Sequence, residues 1–419
     1  MSKWIKNFDQ LAISKLRQDI LAIAEAGLAA IDTEKVIKAN VSIKDQKLKI
    51  KDLSFDLSQF KNLKVIGFGK ASCKAALVLE QILGSKIQAG TALGVAPVAC
   101  EIIQTYGGTH PQPSNHNVEI SEQIMKLAQN ATADDLVIVV VSGGGSALLC
   151  YPQNECDQGQ ILYHQFLKVG GTIEELNTVR KHISQLKGGG LAKALYPATV
   201  ISLIFSDVPG DNYNQVASGP TYKDQTTIAD AQKIIAQYNL GKFELNETPK
   251  EDKYFANVHN IPLVTNQQAL EAMQGQTLKL GYKAKILTNQ AYETTEVALN
   301  YMFMHQKPNT VLLVGGEPKM RVVASGSGGR NLYASLLALQ KINSNQAFLS
   351  LASDGLDNSD AAGAIADEVS LDLAKAQNSN IAEYTKSLDS YNFFKKINQL
   401  ITTGPTEANV SDLLILLNQ

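Results

Sequence analysis

The feature that most constrains the fold is a regular alternation of short apolar runs with longer stretches of helical periodicity. In the N-terminal half the apolar runs are KVIGFG from Lys64, TALGVAP from Thr91, DLVIVVVS from Asp135 and TVISLIFSD from Thr199. Helical stretches such as residues 71–83 and 120–129 separate them, and each is long enough to cross one face of a sheet. The alternation therefore predicts an α/β fold, with a doubly wound, Rossmann-like parallel sheet in this part of the chain.

A polar stretch divides this alternation from a second one. From Asp224 to about Asn260 the chain loses strand character and contains the charged run NETPKEDKYF, so we place the domain boundary there. The later apolar runs are KAKIL from Lys283, TVLLVGG from Thr310, RVVAS from Arg321, AFLSLASD from Ala347 and DLLILL from Asp412. We therefore predict two domains, a Rossmann-like domain over residues 1–255 and a smaller α/β domain over residues 256–419.

Charge and cysteine content restrict the partners and the compartment. The chain has 38 Lys and Arg against 40 Asp and Glu, so its net charge of -2 provides no basic field for nucleic acid or an anionic membrane. Its four cysteines form no C-x-x-C pair, and charges interrupt the apolar positions of its first residues, unlike a secretory signal. We expect a cytoplasmic protein with neither nucleic acid nor membrane as partner.

A run of glycines directly after a buried strand gives the strongest local indication of chemistry. It consists of Ser142, Gly143, Gly144, Gly145 and Ser146. Glycines allow backbone N–H groups to converge on an anion, and the start of a following helix adds partial positive charge. The run therefore predicts a phosphate-binding or substrate-binding loop, and the alternative is a tight turn between a strand and a helix.

Two lysines lie in other glycine-containing segments. Lys70 follows a strand in GFGKAS, which completes neither the G-x-G-x-x-G fingerprint nor the Walker A spacing. Lys187 belongs to the basic segment LNTVRKHISQLKGGGLAK, and both lysines are candidates for binding an anionic ligand. The alternatives are a solvated lysine at a helix start for Lys70 and a solvated basic helix face for the second segment. We expect His182 to be structural, because no partner stands at metal-ligand spacing.

Acidic turns and a second glycine-rich segment complete the candidate site. Asp207 and Asp354 each follow an apolar strand, where carboxylates could bind Mg²⁺ or orient a hydroxyl group, although such turns are often only structural. The segment from VGGEPK to GSGGRN contributes Glu317, Gly328, Gly329, Arg330 and Asn331 as candidate substrate or phosphate ligands. An arginine in a surface loop is the alternative for Arg330. We predict that Lys70 and Arg330 pair locally with Asp207 and Asp354.

Taken together, these motifs resemble the class II glycerate kinase family, whose members carry a kinase-type domain followed by a MOFRL domain. The resemblance runs through RQDILAIAEAGLAAID, GFGKAS, THPQPS, SGGGSALL, LNTVRKHISQLKGGGLA, SDVPGDNYNQVASGPT, GGE, GSGGRN, SDGLDNSDAAGAIAD and TGPTEANVSDL. It implies two α/β domains with the active site in the cleft between them, and phosphorylation of D-glycerate at the 2-hydroxyl with ATP and Mg²⁺. It leaves the oligomeric state open, with a homodimer as one possibility.

The resemblance also implies roles for individual residues. Lys70 and Arg330 look like an anion clamp, the run from Ser142 to Ser146 like a phosphate or substrate loop, and Asp207 and Asp354 like an acidic centre. Three places depart from the usual family pattern: Asn358 and Glu407 stand where glycine is usual, and Leu332-Tyr333 replaces Gln-Glu. Two other functions stay open on the sequence, an NAD(P)-dependent hydroxypyruvate reductase and a non-catalytic sensor of a small anionic metabolite.

Overall fold

The computed structural model describes residues 3–208, 210 and 212–419, which form two compact units. The central unit comprises Thr33–Ser206 and Asn212–Leu263. The terminal unit comprises the described residues of Met1–Asp32, Asp207–Asp211 and Val264–Gln419. This division differs from the predicted one after residue 255, because the N-terminal segment and the turn at Asp207 pack with the C-terminal part of the chain.

The secondary structure follows the predicted alternation. The strands are β1 Val41–Lys44, β2 Lys47–Ile50, β3 Leu53–Asp56, β4 Asn62–Phe68, β5 Ile87–Gly94, β6 Ile103–Gly107, β7 Asp135–Ser142, β8 Thr199–Phe205, β9 Val258–Val264, β10 Lys283–Ala291, β11 Thr310–Gly316, β12 Gln346–Ala352, β13 Gly363–Asp367, β14 Leu400–Ile401 and β15 Asp412–Asn418. The helices are α1 Phe8–Leu11, α2 Lys15–Ala30, α3 Thr33–Asn40, α4 Ser72–Leu83, α5 Asn115–Gln129, α6 Gly145–Leu148, α7 Gln153–Val169, α8 Ile173–His182, α9 Gly190–Leu195, α10 Ile228–Gln237, α11 Asn266–Lys279, α12 Thr295–His305, α13 Arg330–Ala338, α14 Glu368–Ala376, α15 Ile381–Ser387 and α16 Ser390–Lys396.

The main sheet of the central unit has the strand order β6-β5-β4-β7-β8-β9. The pairs β4 with β5, β4 with β7, β5 with β6 and β7 with β8 are parallel, which confirms the predicted α/β class. All eight residues of β7 are buried, as expected for the apolar run DLVIVVVS in the middle of a parallel sheet. From β4 the chain first adds β5 and β6 on one side and later β7 and β8 on the other. The strand order therefore reverses between β4 and β7.

Three features of the fold differ from the sequence prediction. Strands β1 to β3 form an additional antiparallel sheet, which lies before the first predicted strand. The polar stretch after Asp224 contains α10 and β9. The run RVVAS is irregular, and its Val322 and Val323 are 73% and 67% exposed, so β-branched composition alone misled the prediction there.

The sheet of the terminal unit is mixed and has the order β10-β11-β15-β12-β13-β14. The C-terminal strand β15 lies between β11 and β12 and is antiparallel to both. Its first residue, Asp412, therefore pairs with Gly316 and with Ala352, the last residues of its two neighbours. A carboxylate from the start of one strand thus lies among the carboxyl ends of two others.

Buried polar contacts attach α2 to this unit. The Arg17 guanidinium is fully buried and donates to both carboxylate oxygens of Asp367 at 2.6 Å, and its Nη1 donates to Gln399 Oε1 at 2.6 Å. Asp19 accepts a hydrogen bond of 2.8 Å from the Tyr282 hydroxyl. These bonds explain why the first helices pack with residues more than half a chain away. Within the described ranges, no helix combines the length and the apolar composition needed to cross a membrane.

We expect the substitution Arg17→Lys to lower the free energy of unfolding by about 2 kcal/mol. An ammonium group keeps the charge but cannot satisfy both oxygens of Asp367 and Gln399 in the fixed geometry of a guanidinium. The matched control is Lys375→Arg, an exposed site in the same unit whose ion pair should matter little. Urea denaturation of both variants checks the prediction, and equal midpoints for the two would contradict it.

Candidate active site

Lys70 and the glycine run lie side by side at the carboxyl ends of β4 and β7. The Lys70 backbone N–H donates to the carbonyl oxygen of Gly143 at 2.8 Å, and the Ala71 N–H donates to Ser142 Oγ at 3.1 Å. These two strands flank the point where the strand order reverses. In open α/β sheets ligands bind beyond the carboxyl ends of the strands at such a point. The structure thus brings together the two motifs that sequence analysis singled out separately.

Glycine is required at two positions because backbones approach each other closely. Gly69 has a φ of +108°, and a Cβ there would lie 2.2 Å from Ser142 Oγ and 2.3 Å from the Ser142 carbonyl oxygen. A Cβ on Gly145 would lie 2.6 Å from the Cβ of Ala217. The glycines therefore fix how the loops pack. Helix α6 begins within the glycine run, at Gly145, and has only four residues.

The segment after β8 folds back onto the glycine run. Ala217 and Ser218 adopt φ values of 51° and 61°, which are uncommon for residues other than glycine. The Ser218 hydroxyl lies 2.9 Å from Ser146 Oγ and donates to Asn177 Oδ1 at 3.1 Å. The Gly188 N–H donates to the Ser218 carbonyl oxygen at 2.9 Å. The glycine run, the basic segment and the segment after β8 thereby meet in one cluster. The strained backbone at the centre of this cluster is typical of functional sites.

Lys187 is buried and paired, so the solvent-exposed alternative for this lysine is wrong. Its Nζ donates to the Leu149 carbonyl oxygen at 2.6 Å and forms an ion pair with Glu155. The other oxygen of Glu155 accepts from the Tyr151 N–H at 2.9 Å. Burial raises the pKa of the Glu155 carboxyl group. His182 is also buried, and its Nδ1 lies 2.9 Å from the Asn246 carbonyl oxygen, as expected for a structural histidine.

Two residues that the sequence analysis left out of the site lie next to it. A Cβ on Gly144 would lie 3.1 Å from His110 Cδ2 and 3.2 Å from Lys70 Cγ, so these two side chains flank the glycine run. Burial, together with the charges of Lys70 and Arg180, lowers the pKa of His110 to about 4, so His110 is neutral at pH 7. His110 belongs to the motif THPQPS and Arg180 to the basic segment, but neither motif shows which side chain faces the loop.

In the terminal unit, the candidate residues gather around Asp412. The Arg330 guanidinium at the start of α13 donates through Nε to one oxygen of Asp412 and through Nη2 to the other at 3.3 Å. The same Nη2 lies 3.1 Å from Glu317 Oε1, and Asn331 Nδ2 donates to Asp412 Oδ1 at 2.8 Å. We predicted Asp207 and Asp354 as partners of Arg330; the structure pairs it with Asp412 and Glu317. Of the residues proposed for this segment, it brings Glu317, Arg330 and Asn331 together.

The charges in this cluster shift each other's protonation. The carboxylates of Asp412 and Glu317 raise the pKa of Arg330 despite its burial, so the guanidinium stays charged. Burial raises the pKa of Asp412 to about 7, although the Arg330 charge opposes that rise. Asp412 is therefore the group of this cluster that takes up a proton near neutral pH.

The raised pKa of Asp412 predicts a pH-dependent stability. A carboxyl group with a higher pKa in the folded than in the unfolded state stabilises the fold fully below about pH 4, and this contribution is lost as the pH rises through about 7. At about 1.4 kcal/mol per pKa unit, the rise from 3.8 to about 7 corresponds to a loss on the order of 4 kcal/mol. We expect Asp412→Asn to remove this slope from a pH series of denaturation curves. The control Asp372→Asn, at an exposed carboxylate, should keep it.

Asp357 caps the helix that carries Arg330. Its carboxylate accepts from the backbone N–H groups of Asn331 at 3.2 Å and Leu332 at 2.8 Å. A Cβ on Gly329 would lie 2.2 Å from Asp357 Oδ1, which explains this glycine by packing. Asn358, one of the departures from the family pattern, has a φ of 49°, a region that asparagine tolerates better than most residues.

The other two family departures and Gly328 also have structural surroundings. Glu407 adopts a φ of 59°, so the position that is usually glycine keeps the left-handed backbone. Leu332 is buried, and the Tyr333 hydroxyl donates to Glu296 Oε1 at 2.9 Å. Gly328 has a φ of +124°, and a Cβ there would lie 2.5 Å from Ser390 Oγ. The substituted residues thus fit the backbone of the unit.

Asp207 and Asp354 both belong to the terminal unit. The Asp207 carbonyl oxygen accepts from Ser411 Oγ at 2.7 Å, one residue before Asp412. The Asp354 carbonyl oxygen accepts from the Thr406 N–H at 3.0 Å. Pro209 and Asp211 of the first acidic turn lie outside the described residues. Among the residues that the structure describes, no group of three or more His, Cys, Asp or Glu side chains could hold a metal ion.

The chain is similar to known proteins over nearly its whole length. Residues 19–248 match the family described as Domain of unknown function (DUF4147), and residues 310–412 match the MOFRL family. A D-glycerate 2-kinase of Thermotoga maritima is 34% identical over 376 residues, which cover 84% of this chain and 89% of that protein. A glycerate 2-kinase of Pyrococcus horikoshii is 32% identical over 96% of this chain and 97% of its own length.

The likeness extends to the three-dimensional structure. A crystal structure of glycerate kinase from Thermotoga maritima matches with a TM-score of 0.85 and 29% identity, and covers 96% of this chain and 99% of that one. Lys70 lies within the matched residues 19–248, and Arg330 lies within the matched residues 310–412. The chain therefore belongs to the class II glycerate kinase family, with a DUF4147 domain followed by a MOFRL domain.

Proposed function

We propose that the protein is a kinase that transfers the γ-phosphoryl group of ATP to the 2-hydroxyl of D-glycerate in the cytoplasm. One observation carries the proposal: a relative named as a glycerate 2-kinase is 32% identical over 96% of the chain. The residues that match the two family models, 19–248 and 310–412, include Lys70 with the glycine run and Arg330 with its carboxylate partners. The proposal accounts for a site composed of cationic side chains and close-packed glycine loops at strand ends.

In the central unit, Lys70 and the glycine run act on the phosphoryl group. Phosphoryl transfer depends mainly on positioning and on neutralising the charge of the transferring group. The Lys70 ammonium group neutralises charge that develops on the phosphoryl oxygens, and the loop from Ser142 to Ser146 offers backbone N–H groups to the same oxygens. The bond from the Lys70 N–H to Gly143 ties the two parts together, so neither must reorganise during the reaction.

In the terminal unit, Arg330 serves as a substrate ligand whose orientation is fixed. A guanidinium has five N–H donors, and the contacts with Asp412 and Glu317 involve those on Nε and Nη2. Within the described part of the chain, this leaves the Nη1 group to donate to a carboxylate or phosphoryl oxygen. Glu317 and Asn331 hold the guanidinium and its partner in place, and Gly328 and Gly329 allow the loop to pack.

Asp207 and Asp354 orient the attacking hydroxyl group and bind Mg²⁺. These two carboxylates would be enough to hold Mg²⁺, because this ion usually binds one or two carboxylates and takes its other ligands from water and substrate phosphates. When bound, Mg²⁺ supplies positive charge to the phosphate oxygens of the nucleotide. A carboxylate that accepts a hydrogen bond from the 2-hydroxyl directs its oxygen toward phosphorus and accepts its proton.

An assay of ADP release over a panel of hydroxy acids tests the proposal. We expect ATP-dependent turnover with D-glycerate and much less with L-glycerate or lactate. The same preparation is mixed with NADH or NADPH and hydroxypyruvate, because the sequence alone leaves a reductase open. Rapid cofactor oxidation without ADP release would overturn the kinase. A thermal shift on adding glycerate without any ADP would instead indicate a sensor of this metabolite.

A further inference from the structure

We propose that Arg180 binds the carboxylate of the substrate in a small cavity beside the glycine run. In the sequence, Arg180 belongs to the basic segment that could present charge to an anionic ligand, but neither the sequence nor the comparisons assign it a ligand. The identity of the anion as D-glycerate rests on the proposed function. The existence of an anion site at Arg180 rests on the structure of the central unit alone.

The cavity lies between α7, α8 and the end of the glycine run. Its lining includes Ser146 from that run, Pro111 next to His110, Tyr163, Arg180, and the Glu155–Lys187 pair. Its free volume is about 20 Å³, which is close to the space of one water molecule. A site of this size accepts a head group such as a carboxylate and leaves the rest of a small acid outside, toward the loop.

The charges around the cavity leave one cation without a carboxylate. Glu155 is satisfied by Lys187 and by the Tyr151 N–H. Among the described residues, no carboxylate lies within ion-pair distance of Arg180, whose one protein hydrogen bond is to Asn177 Oδ1 at 3.5 Å. Burial lowers the pKa of Arg180 to about 10, so the guanidinium is still charged at pH 7.

A partly buried guanidinium without a carboxylate partner is costly, and a bound anion removes that cost. Desolvated charges in proteins are normally paired, and a planar guanidinium matches the two oxygens of a carboxylate. The neighbouring His110 is neutral and can hydrogen-bond a ligand without competing for its charge. The charges of Lys70 and Arg180 both act on this histidine, so an acid held by Arg180 lies near the residue that we assign to the phosphoryl group.

The test compares Arg180→Gln and Arg180→Lys with wild type in steady-state kinetics. We expect Arg180→Gln to raise the KM for D-glycerate at least 10-fold, because a hydrogen-bonded charge pair is lost, and to change the KM for ATP less than three-fold. Arg180→Lys should restore part of the affinity. The control Lys193→Gln alters an exposed lysine on the same segment and should behave like wild type.

Substrate preference and direct binding separate this proposal from a general loss of fold. Arg180→Gln should lose discrimination between D-glycerate and glycerol, which lacks the carboxylate, because only the acid gains from Arg180. Calorimetric titration with D-glycerate alone should show at least 10-fold weaker binding than to wild type, even if the protein proves not to be a kinase. Unchanged glycerate binding in both variants, or a raised KM for ATP instead, would overturn the assignment.

Discussion

Lys70→Met is expected to reduce kcat for ATP-dependent phosphorylation of D-glycerate on the order of 10³-fold. Removing one preorganised group that stabilises transition-state charge lowers kcat by about 10²- to 10³-fold in enzymes. Phosphoryl transfer is accelerated mainly by positioning and charge stabilisation, so the loss of this charge should have a large effect. Methionine keeps most of the length and the flexibility of the side chain but removes the charge. The Lys70 backbone bond to Gly143 does not depend on the side chain, so the loop should retain its conformation.

The matched control for this substitution is Lys74→Met. Lys74 lies one turn further along, on α4, where its ammonium group pairs with Glu34 at 3.1 Å and is partly exposed. This variant should keep kcat within two-fold of wild type, since exposed ion pairs contribute little. Turnover of the Lys70 variant at the level of the control would refute the assigned role, provided that both variants unfold at the temperature of the wild type.

Gly69→Ala is expected to cost roughly 4 kcal/mol or more of stability and to abolish activity. The new Cβ would stand 2.2 Å from Ser142 Oγ and 2.3 Å from the Ser142 carbonyl oxygen, at a φ of +108°. Both the overpacking and the strained backbone are destabilising, and neither can relax without moving β4 away from β7. Any protein that still folds would therefore have Lys70 and the glycine run displaced from each other.

Gly84 provides a control that separates the cost of a positive φ from the cost of the steric clash. Gly84 also has a positive φ, +53°, but a Cβ there meets nothing within 4 Å. Gly84→Ala should cost only about 1 to 2 kcal/mol and leave kcat unchanged. Thermal denaturation of the two variants compares how much stability each of them loses. If Gly69→Ala were as stable and as active as Gly84→Ala, the close packing of the two loops would not be a requirement of the site.

Local sequence patterns predicted the central sheet and the two main motifs of its site. The strand β7 reads as a continuous apolar run because its eight residues are all buried, and the glycines after it mark the turn that follows. Lys70 follows the neighbouring strand in space. The carboxyl ends of parallel strands share one edge, so proximity of the two motifs follows from the fold class.

Contacts between distant parts of the chain could not be predicted in the same way. Asp412 reaches Arg330 only because β15 is inserted antiparallel between β11 and β12, and local periodicity does not show strand order. Arg17 pairs with Asp367, which is 350 residues away. The prediction placed α2 in the N-terminal domain, whereas in the structure it packs with the C-terminal part of the chain. His110 and Arg180 face the glycine run through loop and helix packing that their own motifs do not encode.

The most direct test of the kinase assignment is the phosphorus NMR spectrum of the product formed from D-glycerate and ATP. Phosphorylation at the 2-hydroxyl places the phosphate next to a single carbon-bound proton, so we predict a product signal split into a doublet. Phosphorylation at the 3-hydroxyl places it next to two such protons and gives a triplet. A triplet, or no new phosphoester signal while ATP stays intact, would contradict the proposed D-glycerate 2-kinase.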